Sequence, residues 1–272
     1  MLDAVFAEAA RTGVVIHRVS QGSGVAMLSD AEISRMVETA RSEQVELCLF
    51  LGPRGTWDIG GSTRTPSGGS GARVRGAAQV GYSIEDAQRA AGLGVDCLLV
   101  ADEGVLWELH LARQDGRLPA ELTLKFSALS GPANPSSLRV IEQLGADSVN
   151  VPGDLSLVDL AAMRDASLVP LDLYIESPDA LGGFVRQHET PEFIDRVGRL
   201  YVKFGLRNAP EMYPSGLHTR ALTLDASRER VRRAALLLED LERRGYMEAM
   251  SPKGAPVVRD LRRFEDVERK AG

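Results

Sequence analysis

The chain has 272 residues, 44% of them hydrophobic, a length that suits one α/β barrel or two smaller domains. We predict one domain over residues 1–272 as the simpler arrangement. The net charge of −6 provides no basic excess to neutralise a phosphate backbone, so nucleic acid is not an expected partner. No stretch reaches the roughly 18 apolar residues of a membrane span, and residues 1–10 lack signal-peptide features. We therefore expect a cytoplasmic protein with no membrane partner.

Short apolar runs alternate with helical patterns along the chain. After an amphipathic helix at the start, the predicted strands cover residues 14–20, 45–52, 96–101, 122–128, 147–151, 169–176 and 200–205. The predicted helices cover residues 29–43, 84–93, 104–113, 134–144, 156–164 and 226–244, with Ser29, Ser83, Asn134 and Ser156 as caps. This repeated order predicts a parallel sheet, and we favour a TIM-type (β/α)8 barrel.

The eighth strand is the least distinct element. Residues 246–250 are the candidate, and a charged helical pattern follows at 257–270. An open doubly wound sheet is therefore the alternative fold. It is disfavoured because residues 22–24, after the first strand, fit the G-x-G-x-x-G fingerprint of a dinucleotide-binding turn poorly.

Two long connections follow strands, which in a barrel places them on the C-terminal face, where active sites lie. The first, at residues 52–82, is rich in glycine and serine. We predict that its arginines clamp a carboxylate or phosphate: Arg54, Arg64, Arg73 and Arg75. A solvated loop without a role is the alternative.

The second long connection, at residues 206–223, follows the seventh strand. Loops at this position bind phosphate in many barrels, so Arg207, Asn208 and Ser215 are further predicted anion ligands. An ordinary turn at residues 214–216 is the alternative.

Period-two alternation predicts which strand side chains point into the barrel. Leu122, Leu124 and Phe126 share one face, which leaves Lys125 on the other. The same division on the other strands gives the inward set Glu46, Lys125, Asn150, Asp172, Tyr174, Glu176 and Lys203. We predict catalytic roles for Lys125, Lys203, Asp172 and Glu176, and substrate binding by Asn150 and Tyr174. Mutual neutralisation of buried charges is the alternative.

Two chemistries fit these residues. A lysine beside another cation has a lowered pKa and can form a Schiff base with a carbonyl compound. Alternatively, Glu103 and Glu176 would hold Mg²⁺, Mn²⁺ or Zn²⁺ to stabilise an enolate. No iron–sulfur cluster is expected, because Cys48 and Cys97 cannot supply the four thiolates that commonly hold one.

A family resemblance covers the middle and later chain. Residues 141–184, IEQLGADSVNVPGDLSLVDLAAMRDASLVPLDLYIESPDALGGF, and YVKFGLRNAP further on resemble the U32 peptidase-like barrels. The resemblance implies a barrel, a bacterial cytoplasmic protein and peptidase activity, or the cluster-dependent hydroxylations of RNA bases and quinones found in other members. Those relatives carry a cysteine-containing segment where residues 177–183 have none. The chain therefore resembles a divergent, cysteine-poor branch.

Three functions follow from these observations. The leading hypothesis is a lyase or isomerase that acts on a small anionic metabolite, a carboxylate or phosphorylated compound, through an enolate or Schiff-base intermediate. A U32-type hydrolase is the second, and a non-catalytic small-molecule-binding protein is the third. A homo-oligomer is compatible with all three.

Overall fold

Seven parallel strands form one sheet whose order follows the chain from β1 to β7. The structure, a computed structural model, describes residues 1–54 and 71–255. The strands are β1 Arg18–Gln21, β2 Glu46–Phe50, β3 Cys97–Val100, β4 Thr123–Phe126, β5 Ser148–Asn150, β6 Leu171–Glu176 and β7 Leu200–Phe204. Helices alternate with these strands, and this architecture confirms the predicted TIM-type barrel class.

The helices in the described ranges are α1 Leu2–Thr12, α2 Asp30–Ser42, α3 Gly76–Gly92, α4 Glu103–Gln114, α5 Pro135–Gln143, α6 Leu157–Ala166, α7 Thr190–Val197 and α8 Arg220–Arg243. Ser29 and Ser156 each form a capping box, and Asn134 caps α5. The predicted cap at Ser83 is wrong, because α3 begins seven residues earlier and the Ser83 hydroxyl donates to Gly52 O and Gln79 O.

The outward faces of the strands and the helices that cover them form the main apolar core. Leu49, Leu98, Leu124, Val149 and Leu173 are all fully buried there. The inward faces of β2 and β3 form a second, smaller apolar cluster of Cys48, Phe50, Cys97, Leu99 and Ala101, together with Ala72. Strands β1, β4, β6 and β7 direct charged groups inward and β5 directs polar ones, so the barrel interior has an apolar side and a charged side.

The sheet curls until its two edges approach each other. Arg18 on β1 hydrogen-bonds Asp172 on β6, and its guanidinium lies 4.0 Å from the ring centroid of Tyr201 on β7. In the described ranges no backbone ladder joins β1 to β7. The curled sheet is therefore held across its interior by side chains.

The predicted eighth strand is wrong. Residues Met247–Ala249 form a single 3-10 turn, because Gly245 ends α8 in a left-handed conformation and the chain turns back at once. The helix predicted at 257–270 lies outside the described residues. The first strand begins at Arg18 rather than at residue 14, and both long connections are shorter than predicted because α3 and α8 begin earlier.

Helix α8 lies beside the gap between β7 and β1. One side of α8 lines the same large cleft that β1 and β7 line, through Arg220, Thr223, Ser227, Arg230, Val231, Ala234, Leu237, Leu238 and Leu241. Helix α1 packs against α8, and β7 contacts α8 as well. A helix thus contributes to the wall of the interior where a regular barrel has its last strand.

No helix in residues 1–54 or 71–255 has both the length and the apolar character needed to span a bilayer.

The close approach of the β6 and β7 ends depends on Gly205. A Cβ there would lie 2.6 Å from Cδ and 2.9 Å from N of Pro178. We expect Gly205→Ala to lower the free energy of unfolding by about 1–3 kcal/mol, measured by urea denaturation. Gly81→Ala is the control, because a Cβ in the interior of α3 meets nothing within 4 Å and should raise stability by up to about 1 kcal/mol. Equal effects of the two substitutions would refute this account.

Candidate active site

A buried network of charges joins four strands inside the barrel. Arg18 donates through Nε to Glu46 and through Nη1 to Asp172 Oδ2, at 3.0 Å. Lys125 donates to the other oxygen of Asp172, and the Ser148 hydroxyl donates to Oδ2. Lys125 and Asp172 are fully buried, as the strand alternation predicts. Asp172 therefore binds partners from β1, β4 and β5.

These contacts decide the charge states of the buried groups. Burial by itself would raise the pKa of Asp172, but the charges of Lys125, Arg18 and Lys203 hold it well below its usual range. Burial lowers the pKa of Lys125, Asp172 opposes this, and Lys203 and Arg18 reinforce it. Asp172 is therefore a carboxylate at neutral pH, and its oxygens are committed to the network.

Lys203 on β7 has a different environment. Its Nζ donates to Asn150 Oδ1 at 2.6 Å and lies 4.2 Å from the ring centroid of Tyr174. Asn150 Nδ2 donates to Phe126 O, also at 2.6 Å, and this bond fixes which end of the amide faces the lysine. In the described part of the chain no carboxylate oxygen forms an ion pair with Lys203. The inward direction predicted for Lys203, Asn150 and Tyr174 is confirmed.

Burial lowers the pKa of Lys203, and the nearby charge of Arg18 acts in the same direction, whereas Asp172 opposes it. An amine with a lowered pKa is unprotonated in a larger fraction of molecules at a given pH. Lys203 is only half-buried and lines the cleft, so a small molecule in the cleft would contact its side chain.

The interior carries more positive than negative charge. Among the described inward groups, Arg18, Lys125 and Lys203 are cations, and Glu46 and Asp172 are carboxylates. Since Arg18 and Lys125 bind both carboxylates, the excess charge is located at Lys203. A bound anion would balance it.

An apolar wall faces the lysines across the cleft. Phe50 and Leu99 form it, and the Arg54 guanidinium lies 3.8 Å from the Phe50 ring centroid and donates to Gly22 O at 2.6 Å. Burial lowers the pKa of Arg54. Of the predicted arginine clamp, Arg54 is thus placed at the cleft.

The other arginines of the predicted clamp lie elsewhere. Arg73 pairs with Glu103 at the surface, and Arg75 is an exposed residue that precedes α3. Arg64 lies outside the described residues. Within the described ranges, Arg54 is therefore the one predicted clamp residue at the cleft. The binding roles of the four arginines stay predictions.

The loop after β7 closes onto the loop after β1. Ser215 and Ser23 share a hydrogen bond between their hydroxyls at 2.7 Å, and Ser215 N donates to Ser23 Oγ. Arg207 and Asn208 are exposed, and their backbone amides donate to Glu176 and Asp179. Ser215 lines the cleft, whereas the side chains of Arg207 and Asn208 have no contact that supports the predicted anion site.

The predicted inward direction of Glu176 is wrong. A β-bulge after Tyr174 shifts the register, so Glu176 pairs with Phe204 on the outward face instead of following Asp172 and Tyr174. Its carboxylate accepts from Arg207 N and faces Arg233 of α8. Glu103 is bound to Arg73, and the described residues contain no group of three or more potential metal ligands. The predicted Glu103–Glu176 metal site therefore gains no support from the geometry.

Two residues of the interior, Arg18 and Arg230, are not predicted by the sequence pattern. Arg18 follows Val14 and Ile16 with the same period-two parity, so alternation indicates no polar face for the first strand. Tyr201 shares the parity of Lys203, so alternation does place it on the inward face, where it lies against Arg18. Arg230 lies on a helix rather than a strand, and no strand pattern would have placed it in the barrel.

No protein-family model matches the chain, and no curated protein sequence matches it. Among solved structures, a U32 peptidase is 20% identical over 60% of this chain and 60% of that chain, with a TM-score of 0.39. The YdjI aldolase from Escherichia coli is 17% identical over 89% of this chain and 85% of that chain, with a TM-score of 0.47. A 2,3-dimethylmalate lyase is 15% identical over 100% of this chain and 90% of that chain, with a TM-score of 0.46. This chain thus spans about 60% of the U32 peptidase structure, and similarities this weak indicate no reaction.

Removing the central carboxylate should destabilise the fold. Asp172→Asn leaves Arg18 and Lys125 without their shared counterion, and we expect a loss of about 3–5 kcal/mol in unfolding free energy at pH 7. The folded-state pKa of Asp172 is depressed, so its contribution is present above the unfolded pKa of about 3.9 and is lost as pH falls below it. The difference between variant and wild type should therefore shrink in acid.

The matched control is Asp225→Asn, since Asp225 pairs with Arg228 on the surface and its side chain is 76% exposed. This change should cost less than about 1 kcal/mol. Urea titrations at pH 7 and at about pH 3, which is below the unfolded pKa of Asp172, measure both variants. A pH-independent deficit, or a deficit as small as that of Asp225→Asn, would contradict the role given to Asp172.

Proposed function

We propose that the chain is an enzyme of lyase type that acts on small anionic carbonyl compounds through an imine at Lys203. One observation carries this proposal: Lys203 lines the cleft with a lowered pKa, and a neutral amide oxygen, not a carboxylate, accepts its hydrogen bond. Such an amine is available as a nucleophile at a lower pH than an ordinary lysine.

The choice of residue type supports this role. Only four of the 32 basic residues of the chain are lysines, at positions 125, 203, 253 and 270, and two of these four lie inside the barrel. An arginine cannot lose its proton in a protein, so it can supply charge but not an amine nucleophile. Lys125 is fully buried and bound to Asp172, which leaves Lys203 as the accessible amine.

The reaction step follows from imine chemistry. The lone pair of the neutral Nζ attacks the carbonyl carbon, and the two hydrogens of the amine pass to the carbonyl oxygen, which leaves as water as the C=N bond forms. A proton from solvent then protonates the imine nitrogen. The protonated imine then accepts the electron pair of an adjacent C–C or C–H bond as that bond breaks. Burial and the charge of Arg18 disfavour protonation of the free amine, and Asn150 Oδ1 accepts its hydrogen bond.

Kinship with the U32 peptidase-like barrels, as a divergent and cysteine-poor branch, belongs to the same proposal. It rests on residues 141–184, which supply the last turn of α5 and then β5, α6 and β6, in the order of the resemblance. Peptidase activity is not part of the proposal. An enolate reaction on a metal bound by Glu103 and Glu176, hydrolysis and non-catalytic binding are alternative outcomes of the following tests.

Trapping with borohydride tests the imine directly. Wild-type protein incubated with pyruvate and borohydride should gain a reduced adduct, and peptide mass mapping should place it on Lys203. Lys203→Met should lose the adduct, whereas Lys253→Met, which alters an exposed lysine paired with Glu43, should retain it. An adduct on Lys125 would show that Lys125, not Lys203, is the nucleophile. The absence of an adduct with every 2-oxo acid tested would refute the imine. Turnover that requires an added divalent metal would favour the enolate alternative.

Asn150→Asp tests how the pKa of Lys203 is set. A carboxylate in place of the amide stabilises the ammonium form, so the pKa of Lys203 should rise by about 1–3 units. Attack requires the unprotonated amine, so the trapping rate increases with pH through this pKa. The pH of half-maximal trapping should therefore shift upward in the variant. Asn134→Asp, which preserves the cap of α5, is the control and should show no shift. An unshifted profile for Asn150→Asp would contradict the proposal.

A further inference from the structure

Helix α8 places Arg230 beside Lys203 in the candidate site. Arg230 is half-buried and lines the cleft together with Lys203 and Tyr174. Its guanidinium is close enough to Tyr174 for its charge to oppose the rise in the pKa of that phenol, a rise caused mainly by burial. Because the Tyr174 ring lies 4.2 Å from Lys203 Nζ, Arg230 and Lys203 border the same part of the interior.

Arg230 differs from its neighbours on the helix. Arg228 pairs with Asp225, Arg232 with Glu229, and Arg233 with Glu229 and Glu176. Within residues 1–54 and 71–255, no ion pair or side-chain hydrogen bond of Arg230 occurs. These three neighbouring arginines thus have acidic partners, whereas Arg230, which lines the cleft, has none in the described chain.

Two other arginines that line the cleft differ from Arg230: Arg220 is exposed at the first position of α8, and Arg54 is already engaged. Arg54 donates to Gly22 O and stacks on Phe50, on the apolar side of the interior. Lys203 is occupied by Asn150 and by its proposed bond to the carbonyl carbon. Arg230 is therefore the group best placed to receive a second, negatively charged end of the same ligand.

We propose that Arg230 binds the carboxylate or phosphate of the substrate while Lys203 holds its carbonyl carbon. This inference rests on the proposed function, and it specifies the substrate class: a short compound with an anionic group beside or near the carbonyl. Arginine suits the task because its planar guanidinium forms two parallel hydrogen bonds to either kind of anion. The anion also balances the excess positive charge of the interior.

Calorimetric titration tests Arg230 independently of the imine. Pyruvate and inorganic phosphate are titrated into wild type, Arg230→Gln, Arg230→Lys and the control Arg228→Gln. Arg230→Gln should weaken binding about ten- to hundredfold, because a charge-assisted bidentate contact is lost. Arg230→Lys should retain part of the affinity, and Arg228→Gln should match wild type. The urea midpoint of each variant shows whether it is folded. A stronger effect on pyruvate than on phosphate identifies a carboxylate site, and the reverse identifies a phosphate site.

The neutral ester methyl pyruvate separates this inference from the proposed function. Borohydride trapping at Lys203 should favour pyruvate over the ester in wild type, and Arg230→Gln should lose that preference while it still traps the ester. Weakened anion binding in Arg230→Gln without any wild-type adduct would support Arg230 and refute the imine. A wild-type adduct together with an unchanged pyruvate preference in Arg230→Gln would support the imine and refute the role of Arg230. Wild type that binds neither anion, or Arg230→Gln that binds them equally well, overturns the inference.

Discussion

The carboxylate of Asp172 is the interaction on which the interior depends. It is fully buried, and it is the shared counterion of two cations that reach it from β1 and β4. A buried unpaired ion costs several kcal/mol, so neither Arg18 nor Lys125 would be stable inside the barrel without it. The same contacts hold β1 near β6 although no backbone ladder joins β1 to β7 in the described chain. A polar network across the interior thus holds the two edges of the sheet together, a role that backbone hydrogen bonds between strands have in a closed barrel.

Once Asp172 and Glu46 are bound, Lys203 is left with an amide and an aromatic ring as its contacts. The cations of the interior therefore have two different roles. Arg18 and Lys125 neutralise carboxylates and fix the positions of strands, whereas Lys203 faces the cleft with a lowered pKa. The apolar side of the interior, formed by Phe50 and Leu99, limits hydration opposite the amine and strengthens electrostatic interactions there.

Helix α8 gives this barrel an unusual wall. A strand presents every second residue to the interior, whereas a helix presents residues three and four apart and can direct a long side chain such as Arg230 into the cleft. Its neighbours Arg228 and Arg232 are paired with acidic residues on the surface. Helix α8 also contacts Glu176. The bulge in β6 turns this residue outward, and its carboxylate then faces Arg233 of α8.

The sequence by itself determined the strand–helix order, the parallel sheet and the inward direction of Lys125, Asn150, Asp172, Tyr174 and Lys203. Those features are local: alternation along a strand and caps such as Ser29 depend on residues a few positions apart. Only the tertiary structure decided which charges meet. Arg18 and Asp172 are 154 positions apart, the bulge that turns Glu176 outward depends on pairing with β7, and Arg230 enters the cleft because α8 packs beside β7 and α1. These contacts depend on how distant segments pack, and no periodicity within a segment encodes them.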